Sequence, residues 1–320
     1  MADFITISDV EAGTRLLRWF LRHYPGMLQR DFYKLCRGGQ IRINSSRCKG
    51  TEILNVGDMV RIPPTLQSYQ KVQKTETGEK YSLADLEELR KCIIHNDSDM
   101  VVFNKPAGLA VQGGTGIKKS VDKMAAALFP YDKISLVHRI DRETSGLLVV
   151  AKNQKAAQNL AEQFQTKTAH KEYLALLQGN VDKKSGTIEN YVVKGQVFED
   201  FSKIPDNIVA QRAVTDYKVL GEASGLLTWI LFSPKTGRTH QLRLHSAFSL
   251  HAPIVGDELY GTRRGGLEGV FGSVLNTQKL FLFAYKITLR HPSTGKEITL
   301  RADVPDFMQA VIKFLEFKMP

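Results

Sequence analysis

One short segment, residues 138–146, concentrates side chains capable of acid, base or nucleophilic chemistry. It reads HRIDRETSG and holds a histidine, two arginines, an aspartate, a glutamate, a threonine and a serine. Apolar runs flank it, ISLV before and LLVVAK after, and these predict strands that present the segment as a loop. A salt-bridged polar turn would have the same composition, so the interpretation depends on the rest of the chain.

Two familiar chemistries fit this chain poorly. His138, Asp141 and Ser145 contain the residue types of a hydrolase triad, but there is no G-x-S-x-G elbow, and triad members normally come from separate segments. The segment GGTGIKKS at 113–120 lacks the Gly-Lys-Ser/Thr ending of a phosphate loop at the required spacing. We therefore expect neither a serine hydrolase nor an ATP site.

Metal and disulfide chemistry are also not indicated. His240, His245 and His251 lack cysteine partners and the H-E-x-x-H spacing, which favours structural or RNA-facing histidines over metal ligands. The cysteines are too few and too scattered for a disulfide framework and are expected to be reduced. They are Cys36, Cys48 and Cys92.

The chain as a whole is basic. It has 320 residues, with 44 Lys and Arg against 33 Asp and Glu, a net charge of +11 and a pI near 9.4. This surplus favours a polyanionic partner, while 42% hydrophobic residues are typical of a folded globular protein. The sequence shows no signal-peptide pattern, and no segment reaches the roughly 18–20 apolar residues that span a bilayer. We expect a cytoplasmic protein that binds no membrane.

Residues 1–64 have the pattern of a small α+β module. Two runs with apolar residues at helical spacing are followed by a Gly-Gly turn, the strand-like QIRIN and the strand-like VGDMVRIPP. This order resembles the S-four-type RNA-binding domain, in which a helical face rich in Arg and Lys lies on the phosphate backbone, although a solvated helix face has the same composition. The residues expected to contact RNA are Arg15, Arg18, Arg22, Lys34 and Arg37.

A larger α+β domain is expected over residues 82–320. Residues 65–81 are polar, show no apolar period and are expected to form a linker, and a short helix should follow Ser82. Beyond it, short β-like runs outnumber helices, which predicts a mostly antiparallel sheet with flanking helices. These runs are ISLVH, GLLVVAK, EYLALLQG, TDYKVL, LTWILFS, KLFLFAYKITL and EITLRADV.

The segment HRIDRETSG resembles the signature of the RluA-type pseudouridine synthases, usually H-R-L-D-x-x-T-S-G, with Ile140 in place of leucine. Other segments match family motifs in family order, and the matches cover about residues 90–305. They are NKPAG at 104–108, KEY at 171–173, TGRTHQLRLH at 236–245 and PIVGDELYG at 253–261. The resemblance implies the pseudouridine synthase fold and the isomerisation of uridine in RNA without a metal or cofactor.

The resemblance also assigns catalytic roles. Asp141 is the expected catalytic carboxylate, acting as a nucleophile or as a base, and both possibilities stay open. Arg243 is the cation expected to keep it ionised, with Thr239 capping the helix that carries this arginine. Tyr173 is expected to pack against the target base. Lys171 should point the same way on a strand, in a structural or a phosphate-binding role.

The target uridine must leave its stack before Asp141 can reach the sugar. By resemblance, Arg139 enters the space that the base vacates, and Arg142 and Lys105 hold phosphates. The N-terminal module together with VRIPP and AVQGGTG favours the branch of the family that acts on large-subunit ribosomal RNA or its assembly intermediates. We expect a monomer. A family member that modifies a different site of the same RNA remains the open alternative.

One position departs from the family pattern. The segment that usually reads L-H-A has Phe283 in place of the histidine, which can alter the wall of the pocket without removing activity. A protein of another class, a non-catalytic RNA-binding or ribosome-assembly factor with the same fold, remains the alternative. Such a relative would be expected to lose Asp141, Tyr173 or Arg243, and all three are present.

Overall fold

The computed structural model describes residues 3–9, 11–24, 27, 29–66, 81–193, 196–200, 204, 209–261, 267–275 and 278–320. The chain divides into two compact units, residues 1–82 and residues 83–320. Most of the expected linker, residues 67–80, lies outside the described residues. No helix in the described ranges is long and apolar enough to cross a membrane.

The smaller unit packs two helices against a four-stranded antiparallel sheet of order β1-β4-β2-β3. Its elements are β1 (Asp3–Thr6), α1 (Leu16–His23), α2 (Gln29–Arg37), β2 (Arg42–Ile43), β3 (Ser46–Arg47) and β4 (Met59–Ile62). Of the apolar positions at helical spacing, Leu16, Phe20 and Phe32 are fully buried in one core, and Leu17, Leu21 and Leu35 pack against it partly buried. The two helices and the strands β2 and β4 confirm the pattern read from the sequence, whereas β1 and β3 were not predicted.

The larger unit is built on an eleven-stranded sheet. Its main path runs β11-β10-β12-β13-β9-β14-β8-β6-β5, with β15 beside β14 and β7 beside β8. The strands are β5 (Ile93–Asn96), β6 (Met100–Lys105), β7 (Ser135–Leu136), β8 (Ser145–Ala151), β9 (His170–Gln178), β10 (Ser185–Val193), β11 (Gln196–Phe198), β12 (Gln211–Ala223), β13 (Leu227–Pro234), β14 (Leu282–Arg290) and β15 (Glu297–Arg301). All pairings are antiparallel except that of β8 with β14.

Helices flank this sheet, as the α+β prediction required. They are α3 (Leu83–Lys91), α4 (Val121–Leu128), α5 (Gln154–Gln165), α6 (Gln241–Leu244), α7 (Leu267–Phe271) and α8 (Asp306–Phe314). The seven β-like runs of the sequence all contribute strands, and α3 begins directly after Ser82. Strand β10 was missed because the first half of SGTIENYVV is exposed and has few apolar residues.

Candidate active site

The segment HRIDRETSG connects β7 to β8, and the start of β8 fixes its position. Gly146 has a φ of 108° and forms a parallel bridge with Ala284 of β14. A Cβ on Gly146 would lie 2.3 Å from the carbonyl oxygen of Ala284, so no larger residue fits this crossing. The buried sheet therefore determines where the loop with Asp141 begins and ends.

Lys105 fixes the loop through hydrogen bonds made by its buried side chain. Its side chain is fully buried, and its Nζ donates to the carbonyl oxygens of Pro106, Leu109 and Arg142 at 2.8–2.9 Å. Burial lowers the pKa of Lys105 to about 7, and the nearby carboxylates of Glu143 and Asp141 oppose that shift. This geometry contradicts the phosphate contact expected from the sequence, because RNA cannot reach an ammonium with no exposed surface. Lys105 instead ties two loops together.

His138 anchors the other end of the loop. Its Nε2 accepts a hydrogen bond of 2.9 Å from the backbone N–H of Val149, and its ring stacks on Phe164 at 4.3 Å between centroids. Burial, reinforced by the charge of Lys171, lowers the pKa of His138 to about 3. The ring is therefore neutral at pH 7 and serves to position the loop.

Asp141, Tyr173 and Arg243 line one open cleft of about 790 Å³, together with Arg139 and Lys171. This volume lies in the range of roughly 300–1,000 Å³ found for ligand sites. Arg139 is exposed, whereas Asp141 is half-buried, with 29% of its side chain accessible. The residues that the sequence placed at the centre of the chemistry thus come from a loop, a strand and a helix that are separate in the chain, and they share one cavity.

Arg243 lies between two aspartates. Its Nε and Nη2 donate to the two carboxylate oxygens of the fully buried Asp257 at 2.7 and 2.6 Å, while its Nη1 lies 3.9 Å from Asp141 Oδ2. Burial works against the charge on Arg243, but Asp257 outweighs it and raises the pKa of the guanidinium. Arg243 is therefore a permanent and rigid cation facing Asp141.

The start of α6 differs from the expectation. The residue before the helix is His240, which has a left-handed φ of 54° and makes no side-chain cap, so the prediction that Thr239 caps the helix is wrong. This conformation is uncommon for a residue with a side chain and marks a constrained site. His240 Nδ1 lies 2.8 Å from the hydroxyl of Tyr260, and its Nε2 lies 3.9 Å from Asp141 Oδ1.

Buried hydrogen bonds hold the chain that leads into α6. The Oε1 atom of Gln241 accepts from the Thr236 hydroxyl at 2.7 Å and from the Arg238 N–H at 3.0 Å. Its Nε2 donates to the Val214 carbonyl and the Thr215 hydroxyl at 3.0 and 2.9 Å. The turn that positions His240 and the first residues of α6 is thereby fixed to β12.

Tyr173 and Lys171 lie on β9, where alternate residues face the same side. Burial, with a further contribution from the charge of Asp141, raises the pKa of Tyr173, so its hydroxyl stays protonated. Burial lowers the pKa of Lys171. Lys171 forms no ion pair with any residue in the described ranges and remains available to an anion in the cleft.

The remaining predicted RNA contacts lie elsewhere. Arg142 is exposed and does not line the cleft. Arg15, Arg18, Lys34 and Arg37 are exposed on the smaller unit, and none of them forms an ion pair within its described part. Arg22 lies in α1, but its side chain is outside the described residues.

Three residues in the cleft or in contact with its lining were missed as functional groups. Asp257 and Tyr260 fall in the matched segment PIVGDELYG, and no role was predicted for them. His240 falls in TGRTHQLRLH and was interpreted only as a structural or RNA-facing histidine. The sequence did offer one signal, because an aspartate that is buried within the mostly apolar segment PIVGDELYG requires a cation such as Arg243. Phe283 is fully buried, whereas its neighbour Leu282 lines the cleft, so the replacement for the family histidine lies behind the pocket wall.

Comparisons with solved structures define the class of protein. The human protein "RNA Pseudouridylate Synthase Domain Containing 4" matches with a TM-score of 0.62 and 27% identity, over 73% of this chain and 97% of that chain. A second human protein, "RNA Pseudouridylate Synthase Domain Containing 1", matches with a TM-score of 0.51 and 26% identity, over 67% and 83% of the two chains. The fold is that of a pseudouridine synthase.

Sequence relatives extend over nearly the whole chain. The "Ribosomal large subunit pseudouridine synthase C" of Vibrio cholerae is 32% identical over 311 residues, 97% of this chain and 96% of the relative. The protein of the same name from Vibrio vulnificus is 34% identical over 315 residues, 98% of this chain and 96% of the relative. The family model for RNA pseudouridylate synthase matches residues 99–248. The chain therefore belongs to the RNA pseudouridylate synthase family, with a catalytic domain of the RluA type.

Proposed function

We propose that this protein isomerises specific uridines of large-subunit ribosomal RNA to pseudouridine, with Asp141 as the catalytic carboxylate. The substrate class rests on the relatives named as ribosomal large subunit pseudouridine synthases, which match 92–96% of their own length. The observation that carries the catalytic role is the position of Asp141 in an open cleft, facing a buried arginine that another carboxylate holds rigid.

The geometry suits a carboxylate that must react. Asp141 receives no side-chain hydrogen bond from the described residues, and its nearest basic groups lie 3.9 Å away. Its oxygens are therefore free to attack the sugar or to remove a proton from it. Arg243 stabilises the anion without blocking it, because the Arg243 hydrogen bonds are directed at Asp257.

The reaction cleaves the bond between ribose C1′ and uracil N1, turns the base and joins C1′ to C5. The proton at C5 is released and N1 gains one, so no oxidant or acceptor molecule is required. The uridine must leave its stack, at a cost of a few kcal/mol. We assign Tyr173 to the face of the flipped base and Arg139 to the space it leaves, since both line the cleft and Arg139 is exposed.

RNA binding beyond the cleft is assigned to exposed cations. Lys171 lies in the cleft without an ion-pair partner among the described residues, and Arg142 lies beside the cleft. The smaller unit provides Arg15, Arg18, Lys34 and Arg37. Contacts of this kind bind phosphates and position the RNA without reading its sequence. We further propose that the protein acts as a cytoplasmic monomer, on free RNA or on an assembly intermediate, without a cofactor.

The test uses unmodified large-subunit RNA labelled with tritium at uracil C5. The protein should release tritium and leave pseudouridine at a few defined positions, which chemical mapping of the product would locate. Binding without any release of tritium would contradict the enzymatic function and support the non-catalytic RNA factor instead.

A further inference from the structure

A second cavity, of about 710 Å³, adjoins the catalytic loop. It shares no lining residue with the cleft of Asp141. Consecutive residues of the loop belong to the two cavities, since Asp141 lines the first and Arg142 lines the second. The second cavity therefore begins one residue along the loop from the carboxylate that the target nucleotide has to reach.

The lining of this second cavity combines an apolar floor with a charged rim. Leu89, Ala110 and Met124 are buried, with exposures of 2%, 8% and 3%. Lys118, Lys119 and Arg142 contribute positive charge, and Asp85 and Glu88 contribute negative charge. Lys119 pairs with Asp85, whereas Lys118 has no ion-pair partner in the described ranges. An apolar, flat group attached to an anion fits this combination.

Arg142 is held in a fixed place at the rim. Its Nε donates to the carbonyl oxygen of Gly108 at 2.9 Å, and the N–H of Gly108 donates back to the carbonyl oxygen of Arg142 at 2.9 Å. The side chain is 69% exposed, and Nε lies 3.6 Å from a carboxylate oxygen of Glu143. The terminal guanidinium nitrogens form no hydrogen bond with the described residues. They are available to a phosphate, and the guanidinium plane is available to a base.

We propose that the second cavity binds a nucleobase that flanks the target uridine in the RNA. Unstacked bases bind through stacking on arginine planes and through apolar pockets, and the adjacent phosphate would contact Lys118 or Arg142. The inference rests on the proposed function and adds a second base-binding site to it. Holding a neighbour of the target unstacked would keep the flipped uridine in the cleft.

Cys92 provides a probe of this cavity. It lines the cavity and is half-buried, while Cys36 and Cys48 are buried in the smaller unit. Burial, with a contribution from Glu88, raises the pKa of the Cys92 thiol, so its alkylation needs mildly alkaline pH. N-ethylmaleimide attached to Cys92 would occupy the space assigned to the base.

The experiment compares tritium release from C5-labelled large-subunit RNA before and after alkylation of Cys92. Alkylated protein should show a KM raised about tenfold and a kcat within about twofold, which corresponds to roughly 1.4 kcal/mol of lost binding. The matched control is Cys92→Ala, compared before and after the same treatment, and its KM should not change. Thermal unfolding of both preparations verifies that the fold is intact.

A second arm measures protection of Cys92 from the reagent. Unmodified large-subunit RNA should slow alkylation at least fivefold, whereas a mixture of the four nucleoside monophosphates should not. Complete alkylation with an unchanged KM, a fall in kcat alone, or an equal effect on Cys92→Ala would overturn the proposal. Protection by mononucleotides but not by RNA would also overturn it, because it would indicate a separate nucleotide site. Failure of the untreated protein to release tritium would instead contradict the proposed function.

Discussion

Two clusters in the larger unit combine an aspartate with basic side chains, and they differ in how the aspartate is used. At the turn between β5 and β6, the Oδ2 atom of Asp97 lies 2.6 Å from His95 Nε2 and 2.9 Å from His291 Nε2. In the cleft, the oxygens of Asp141 lie 3.9 Å from His240 and from Arg243. The residue types are nearly the same, but only the first aspartate is fully hydrogen-bonded.

Backbone hydrogen bonds add to the difference between Asp97 and Asp141. The N–H groups of Asp99 and Met100 donate to Asp97 Oδ1 at 2.8 Å each, so both oxygens of Asp97 are occupied. Through His291 this carboxylate ties the turn after β5 to the turn after β14. Asp141 has no such partners in the described part of the chain. A carboxylate whose oxygens are both hydrogen-bonded stabilises the structure. A carboxylate that has a cation nearby but accepts no hydrogen bond from it can react.

The Asp97 cluster also has the composition of a metal site. Asp97, Asp99 and His291 place potential ligand atoms within 4.8 Å of one another. The Nδ1 atom of His291, however, accepts from the N–H groups of Ser293 and Thr294 at 3.3 Å. Nε2 must then carry the proton that it donates to Asp97, and a protonated nitrogen offers no lone pair to a metal. The hydrogen bonds of His291 and Asp97 therefore explain why these residues lie together.

Among the residues that surround Asp141, the largest effect is expected from the aspartate that holds Arg243. Asp257→Asn leaves a buried guanidinium without its counter-charge, which should cost about 3–5 kcal/mol of unfolding free energy. Because Arg243 would no longer be fixed opposite Asp141, kcat should also fall about 100-fold. Urea unfolding and tritium release would measure the two effects.

The matched control for this substitution is a surface pair. Asp216 lies 2.9 Å from Lys235, with 41% and 56% of the two side chains exposed. Asp216→Asn should cost less than about 1 kcal/mol. If Asp216→Asn lost as much unfolding free energy as Asp257→Asn, the cost of the Asp257 substitution would not depend on the burial of its ion pair with Arg243.

Asp97→Asn should damage stability and spare catalysis. The substitution removes charge-assisted hydrogen bonds and should lower the unfolding free energy by about 2–3 kcal/mol. Tritium release per folded molecule should stay within about twofold of wild type, because the cluster lies outside both cavities. A fall in kcat comparable to that of a cleft variant would remove the distinction between the two aspartates.

The stabilisation by Asp97 should depend on pH. Burial alone would raise the pKa of Asp97, but the backbone N–H groups and the two imidazoles outweigh it and hold the pKa below its usual range. The advantage of wild type over Asp97→Asn should be complete above the unfolded carboxyl pKa of about 3.9 and decrease as pH falls below it. Urea unfolding at pH 6, 4 and 3 would measure this difference. If the difference in unfolding free energy between wild type and Asp97→Asn stayed constant from pH 6 to pH 3, the hydrogen bonds of the ionised Asp97 would not be the source of the stabilisation.

A smaller effect is expected from His240, a positioning residue between Tyr260 and Asp141. Glycine tolerates the left-handed backbone at this position, so His240→Gly should remove the ring with little strain. We expect kcat to fall about tenfold with KM unchanged, which is less than the roughly 100-fold or larger effect of a group that itself transfers a proton. His240→Ala should match it in kcat and be less stable. Unchanged kcat in both variants would show that the ring only fills space.

The smallest effect is expected from a single exposed cation of the smaller unit. Arg18→Ala should reduce the slope of log affinity against log salt by about 1, as for one lost phosphate contact. Tritium release at saturating RNA should not change. Arg30 is a matched control, because it is exposed on the same unit but lies 3.8 Å from Asp31. An equal change for Arg18→Ala and Arg30→Ala would argue against a defined RNA-binding face.

Much of the fold and of the candidate site could be predicted from the sequence. The seven apolar runs predicted strands correctly, and the motif order led to Asp141, Tyr173 and Arg243, which line one cleft in the structure. Lys105 was misassigned because a sequence does not distinguish an exposed lysine from one buried among carbonyl groups. The cap at Thr239 was wrong because a left-handed histidine is set by tertiary hydrogen bonds that no local pattern encodes. The role of Asp257 depends on its contact with Arg243 of α6, fourteen residues earlier, and the sequence pattern does not show this contact.

The most direct test of the central claim compares Asp141→Asn with Asp97→Asn on C5-tritiated large-subunit RNA. With RNA saturating and equal amounts of folded protein, Asp141→Asn should release no tritium, while its affinity for RNA stays within a few fold of wild type. Asp97→Asn should release tritium at nearly the wild-type rate. Continued release by Asp141→Asn, or loss of RNA binding together with activity, would contradict the role of Asp141 as the catalytic carboxylate.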